Sequence, residues 1–161
     1  MQLRNWLVVL SAVALTACGL PMAPDEALLA QNDQVYADVV LGKNDAFFAR
    51  LPKNFDTPQQ RKMLAAVRQI IPDGKATAAQ LTGWNAYSGT DGQREALVVR
   101  YDYGSDHVTV ATTFNRPNSA QPWGLFSFNL SPTPPEFLNS PAIGGPRPAP
   151  PVRPADAAPP S

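Results

Sequence analysis

Eleven of the 18 prolines lie in the last stretch of the chain, residues 132–161. Proline locks φ, has no N–H to offer a helix or a sheet, and pushes the residue before it out of the helical region. Few large apolar side chains accompany these prolines beyond Phe137, Leu138 and Ile143. So little burial cannot offset the entropy of ordering the segment. Residues 131–161 are therefore expected to form a disordered proline-rich tail with polyproline II character, whose removal should leave the rest of the chain nearly as stable. A folded core must be built before it.

The other end is excluded from the core for a different reason. Residues 1–17 carry one charge, Arg4, then an apolar run over residues 6–14 broken only by Ser11, then the small residues Thr16 and Ala17. That order describes a secretory signal, and the run is about half of the ~20 residues needed to span a bilayer. Leu15-Thr16-Ala17-Cys18 resembles the lipobox of bacterial lipoproteins. The resemblance implies cleavage before Cys18 and acylation of its thiol and new amino group. Buried hydrocarbon contributes about 0.8 kcal/mol per CH₂ and roughly two chains suffice for stable anchoring. The membrane is thus the partner implied for Cys18. Gly19, where the Gram-negative sorting rule reads aspartate as inner-membrane retention, fits the periplasmic face of the outer membrane. Residues 18–25, with Pro21 and Pro24, would be a lipidated tether holding the domain roughly 20 Å from the lipid.

Residues 26–130 remain, enough for a single core. Leu28, Val35, Tyr36, Val39 and Val40 recur at helical spacing. Gly42 and Lys43 can end that helix, and Asn44 can cap a short second one bearing Phe47, Phe48 and Leu51. Thr57 before Pro58 is a start signal for a third, whose apolar stripe is Met63, Leu64, Val67, Ile70 and Ile71 and whose stop is Pro72-Asp73-Gly74. The period then changes from 3.6 to 2. After a segment 78–87 and a turn at 88–92, Leu97, Val99, Tyr101 and Tyr103 alternate with Ala96, Val98, Arg100 and Asp102. Beyond a turn at 103–106, Val108, Val110, Thr112 and Phe114 alternate with His107, Thr109, Ala111 and Thr113. A last strand covers 123–130, with a bulge between Leu125 and Phe126 where alternation slips. Short turns require antiparallel neighbours. The expected fold class is α+β, with N-terminal helices packed on a four-stranded antiparallel meander.

The pattern Tyr101-x-Tyr103, Val108-x-Val110-x-x-x-Phe114, Trp123-x-Leu125-x-x-Phe128 resembles small NTF2-like or cystatin-like periplasmic domains over residues 45–130. In NTF2-like enzymes the base and acid lie inside the cone between sheet and helices.

Composition excludes several chemistries. Basic and acidic residues number 13 each, a balance that argues against a nucleic-acid partner, which would need a concentrated basic face. One cysteine and one histidine allow neither an intramolecular disulfide nor a histidine- or cysteine-built metal cage. Gly144-Gly145 precedes neither lysine nor helix, so no phosphate loop is read and no cofactor is implied. His107 stands beside Asp106 and out of phase with Val108 and Val110, which predicts the solvent face. The inward face, as read, offers Tyr101, Tyr103 and Thr112 but no carboxylate, while Arg100 and Asp102 face outward to pair across strands. Trp84, Tyr101, Tyr103, Phe114 and Trp123 are the candidate lining of a pocket for a small hydrophobic ligand. PxxP spacings at residues 148–154 could meet a groove-bearing envelope protein or simply form a solvated spacer. The leading reading is a non-enzymatic, lipid-anchored binding or scaffolding domain. The alternatives are a carrier of a small apolar ligand, and an enzyme using His107, Asp106 or the tyrosines.

Overall fold

In the computed structural model, which describes residues 23–134 together with Ile143 and Arg147, four strands follow one another as an antiparallel meander. They are β1 (Ala78–Gly89), β2 (Gly92–Tyr103), β3 (Asp106–Arg116) and β4 (Gly124–Pro132), in the spatial order β1-β2-β3-β4. The signal, the lipidation site and the first part of the tether lie outside the described residues.

The first two of the three hairpins close in two-residue turns, Gly89 pairing with Gly92 and Tyr103 with Asp106. Strands β1 and β2 therefore run closer to their turn than residue pattern suggests, and β2 starts at Gly92 rather than near Ala96. Two bulges bend the sheet. In β4, Ser127 pairs with Thr113 and Leu125 with Phe114, so Phe126 is the extra residue, where the sequence places a bulge. In β1, Leu81 pairs with Val99 and Gly83 with Val98, leaving Thr82 as the extra residue.

Helices cover one face of this sheet: α1 (Glu26–Val40), α2 (Asn44–Phe48) and α3 (Pro58–Arg68). Asp25 caps α1 by accepting from the Ala27 amide at 2.9 Å, and Thr57 caps α3 by accepting from the Gln60 amide at 3.2 Å. The first helix ends in a Schellman motif. Lys43 N–H donates to Asp38 O at 2.8 Å, Gly42 N–H donates to Val39 O at 3.1 Å, and Gly42 takes φ +67°. Because Lys43 completes that motif and is also the residue preceding α2, Asn44 falls inside the second helix instead of capping it.

The core joins Leu28, Val35, Val39 and Val40 of α1 to Leu97, Val99, Tyr101, Val108, Val110 and Phe114 of the sheet, all buried. The architecture is α+β, as expected. The α3 stripe needs correction. Leu64 and Ile71 are buried, but Met63 is 53% and Ile70 37% exposed. The helix ends at Arg68, so helical spacing no longer positions the two isoleucines, and only Ile71 turns inward. Pro132 closes β4, and Thr133 N–H still donates to His107 O at 2.9 Å, so order extends past residue 130. Ile143 and Arg147 of the expected tail also meet the sheet, along β1.

Candidate functional site

The polar centre of the helix–sheet interface is a tyrosine cluster. Alternation along β2 points Tyr101 inward, and α1 lays Tyr36 over it with ring centroids 3.9 Å apart and planes 17° from parallel. The Tyr36 and Tyr103 hydroxyls are 2.7 Å apart. Tyr101 donates its hydroxyl to Asp33 Oδ1 at 2.7 Å and accepts from Asn32 Nδ2 at 3.0 Å. Thr112 in turn donates to Asn32 Oδ1 at 2.8 Å. Asn32, wholly buried, thus uses both ends of its amide.

Burial, with Tyr103 close by, drives the Tyr36 hydroxyl far above its ordinary value; burial, with the Asp33 charge, does the same to Tyr101. Both stay protonated throughout the neutral range. They hold hydrogen bonds and cannot serve as phenolate bases.

The five candidate pocket residues divide. Tyr101 and Tyr103 belong to the tyrosine cluster. Phe114 is buried and pairs in register with Glu95 on β2, whose Oε2 accepts from the Trp84 indole at 3.1 Å. Trp123 lies under the Arg116 guanidinium, 4.3 Å from its ring centre. A cavity of about 120 Å³ takes in Trp123, Glu95 and Arg116 but none of the other four. Of the five, only Trp123 borders a cavity described here, and Tyr36 stacks on Tyr101.

The inward face does carry a carboxylate, contrary to expectation. Glu95 continues the parity of Leu97, Val99 and Tyr101 and is buried. Starting β2 near Ala96 hid it. Asp33 adds a second carboxylate from α1. The signal for Glu95 was its place two residues before Leu97; Asp33 carried no signal, since only packing brings it to Tyr101.

On the other face, His107 occupies the phase expected, with its side chain 24% exposed. It sits opposite Asp102 in the β2–β3 register, with Nδ1 2.7 Å from Asp102 Oδ1. A carboxylate only accepts, so Nδ1 carries the hydrogen. Arg100, two residues along the same strand and buried, donates from Nε to the same oxygen at 2.9 Å. Arg100 also donates from Nη2 to Gln80 Oε1 on β1 at 2.7 Å. The outward pair therefore forms within β2, and its cross-strand contacts go to Gln80 on β1 and His107 on β3. His107 borders a cavity of about 650 Å³ with Gln69, Ile71, Asp73, Ser105 and Asp106.

A third feature lies between the helices and β4. Phe47, Phe48, Leu51, Met63, Phe126 and Phe128 line an apolar groove of about 290 Å³. Phe47 meets Phe128 edge-on, with centroids 5.2 Å apart. The bulge leaves Phe126 38% exposed at its rim.

Among the described residues no group of three histidine, cysteine, aspartate or glutamate side chains could hold a metal, and no helix is long and apolar enough to cross a membrane. Searches of family models, curated proteins and solved structures find no match to this chain.

Proposed function

We propose that the chain is a lipoprotein of the bacterial cell envelope, anchored through acylated Cys18 on the periplasmic face of the outer membrane, that binds or scaffolds an envelope protein without catalysing a reaction. Its domain would belong with the small NTF2-like or cystatin-like periplasmic folds. The proline-rich tail, residues 131–161, would serve as a spacer. The observation that carries the non-catalytic half is the packed Tyr36–Tyr101 stack at 3.9 Å, which fills the space where such folds would hold a reactant and leaves binding to the surface. The lipobox carries the anchoring half.

The test is metabolic labelling with a clickable fatty acid. The native chain should take up label and fractionate with membranes; Cys18→Ser should do neither. Label absent from the native chain sinks the anchor. Crosslinking from envelope fractions then identifies the partner.

The groove of Phe47, Phe48, Leu51, Met63, Phe126 and Phe128 supports a second reading, carriage of a small apolar ligand, moved from the tyrosines to this face. Solvent extraction and mass spectrometry of the purified protein distinguish the two. A stoichiometric lipid-like species favours the carrier, and an empty extract counts against it.

A further inference from the structure

Glu95 and Arg116 are diagonal neighbours on the inner face of the sheet. Across β1, β2 and β3, Glu95 stands between Ala86 and Phe114, and the next row toward the first turn is Ser88, Gln93 and Arg116. Residues two apart share a face, and diagonal positions lie about 7–8 Å from each other. Ala86, Ser88, Gln93, Glu95, Arg116 and Trp123 border a cavity of about 120 Å³. Gln31 of α1 ties Trp123 in place, its Nε2 donating to the Trp123 carbonyl at 3.3 Å. The space equals that of about four water molecules.

Both charged groups are held by residues of their own sheet. Glu95 is 8% exposed, and its Oε2 accepts from the Trp84 indole at 3.1 Å. Its other oxygen has no partner among the described residues, and a carboxylate taken out of water is costly unless a cation meets it. Arg116 donates from Nε to Gln93 Oε1 at 2.6 Å and lies 4.3 Å from the centre of the Trp123 ring. Those two contacts orient the guanidinium and leave its terminal nitrogens for an acceptor, which a carboxylate meets with two parallel bonds. Trp123 Nε1 is buried without a partner among the described residues, a further donor of the kind that a bound acceptor satisfies.

The two charges limit what fits. One carboxylate offers too few oxygens for a calcium-like cation, which takes roughly six or more. An ammonium is satisfied by one carboxylate and by aromatic faces. A ligand with only positive charge is opposed by Arg116, and one with only negative charge is opposed by Glu95. A ligand that carries both is opposed by neither.

We propose that this cavity binds a small zwitterion of amino-acid type, its ammonium on Glu95 and its carboxylate on Arg116. The volume suits glycine or alanine and not a long side chain. The proposal depends on neither the lipid anchor nor the apolar groove.

The experiment titrates the full chain with alanine and follows the Trp123 indole N–H resonance. Ethylamine and propionate, which carry the two ends separately, are titrated alongside. Alanine should shift the resonance saturably, and each half should bind at least about tenfold more weakly for want of one set of charge-assisted hydrogen bonds. Glu95→Gln keeps the shape and an acceptor for Trp84, and it should weaken alanine about tenfold to a hundredfold. Arg116→Gln should do the same from the carboxylate end. Melting curves establish that the variants are folded; if one is not, alanine against its halves on the native chain decides alone. A shift that does not saturate overturns the proposal. So does either half binding as tightly as alanine, or either folded variant binding alanine as tightly as the native chain.

Discussion

Tyr36 of the first helix lies face to face with Tyr101 of the second strand, 3.9 Å between ring centres, and each hydroxyl goes to a different partner. Tyr36 reaches Tyr103, and Tyr101 reaches Asp33. One stacked pair therefore links α1, both faces of its polar seam, and through Asp33 the docked Arg147.

Removing the Tyr101 hydroxyl leaves the buried Asn32 amide short of a partner and takes a donor from the part-exposed Asp33, which keeps Arg147, while the ring stack survives. Tyr101→Phe should lose ~1–3 kcal/mol of unfolding free energy, the cost of unmet buried polar groups. Tyr36→Ala removes the ring itself and should lose ~3–5 kcal/mol, as for other large aromatic truncations. Urea denaturation of both variants checks the order; a Tyr101→Phe loss larger than that of Tyr36→Ala would contradict it.

The same pair sets an alkaline limit. Both hydroxyls have folded-state values raised above the ordinary 10.0. The unfolded chain ionises them first, so their contribution is intact below pH 10 and is lost as pH rises beyond it. Melting temperature should fall above about pH 10, and less steeply in Tyr36→Phe. Absorbance at the phenolate band should show these two ionising only together with unfolding.

Gly42 takes φ +67° to close the Schellman motif after α1, and a Cβ there would also press on the Arg68 guanidinium. Gly42→Ala should cost about 1–2 kcal/mol, the penalty of a left-handed alanine. Thermal denaturation reads it directly.

Asp38 is 2% exposed and accepts from Arg50 Nε at 3.0 Å and from Gln34 Nε2 at 3.1 Å. Arg50→Ala strands that carboxylate, and since Arg50 is itself partly exposed the loss should be about 2–3 kcal/mol, below the range for fully buried pairs. Removing both charges in Arg50→Ala, Asp38→Ala should cost less than the sum of the single changes.

Ending the chain after Pro134 removes the contacts of Ile143 and Arg147 with β1 and Asp33. The loss should be about 1–2 kcal/mol. At roughly 4–8 °C per kcal/mol for a domain near this size, the melting temperature should drop by several degrees or more. The proline content alone argues for no change, so calorimetry of the two chains decides between the composition and the observed contacts.

Much of the fold was legible because its signals are local. Thr57-Pro58 starts α3 by capping chemistry, and Gly42 ends α1 by its positive φ. The slip of alternation at Leu125-Phe126 marks a bulge, since one extra residue reverses the side-chain phase. The site was less legible. Glu95 lies ahead of the clear alternation from Ala96, and β2 reaches it because β1 and β3 continue to pair there. His107 has an acidic neighbour in sequence, Asp106, yet its hydrogen bond goes to Asp102, because the β2–β3 register sets that side chain opposite. Met63 fits a core stripe by spacing but borders the groove, since what covers a helix face is decided by neighbouring elements.

The residue order alone determined the change of period from helix to strand and the tight glycine turns that make the sheet a meander. These depend on backbone sterics and on residues a few positions apart. Only the tertiary structure decided that Tyr36 would close the space above Tyr101, that Glu95 and Asp33 would bring carboxylates to the interior side, and that Arg147 would return to β1. Those pairings join residues up to 114 positions apart, where the choice of partner depends on register and packing geometry, which no short window of sequence contains.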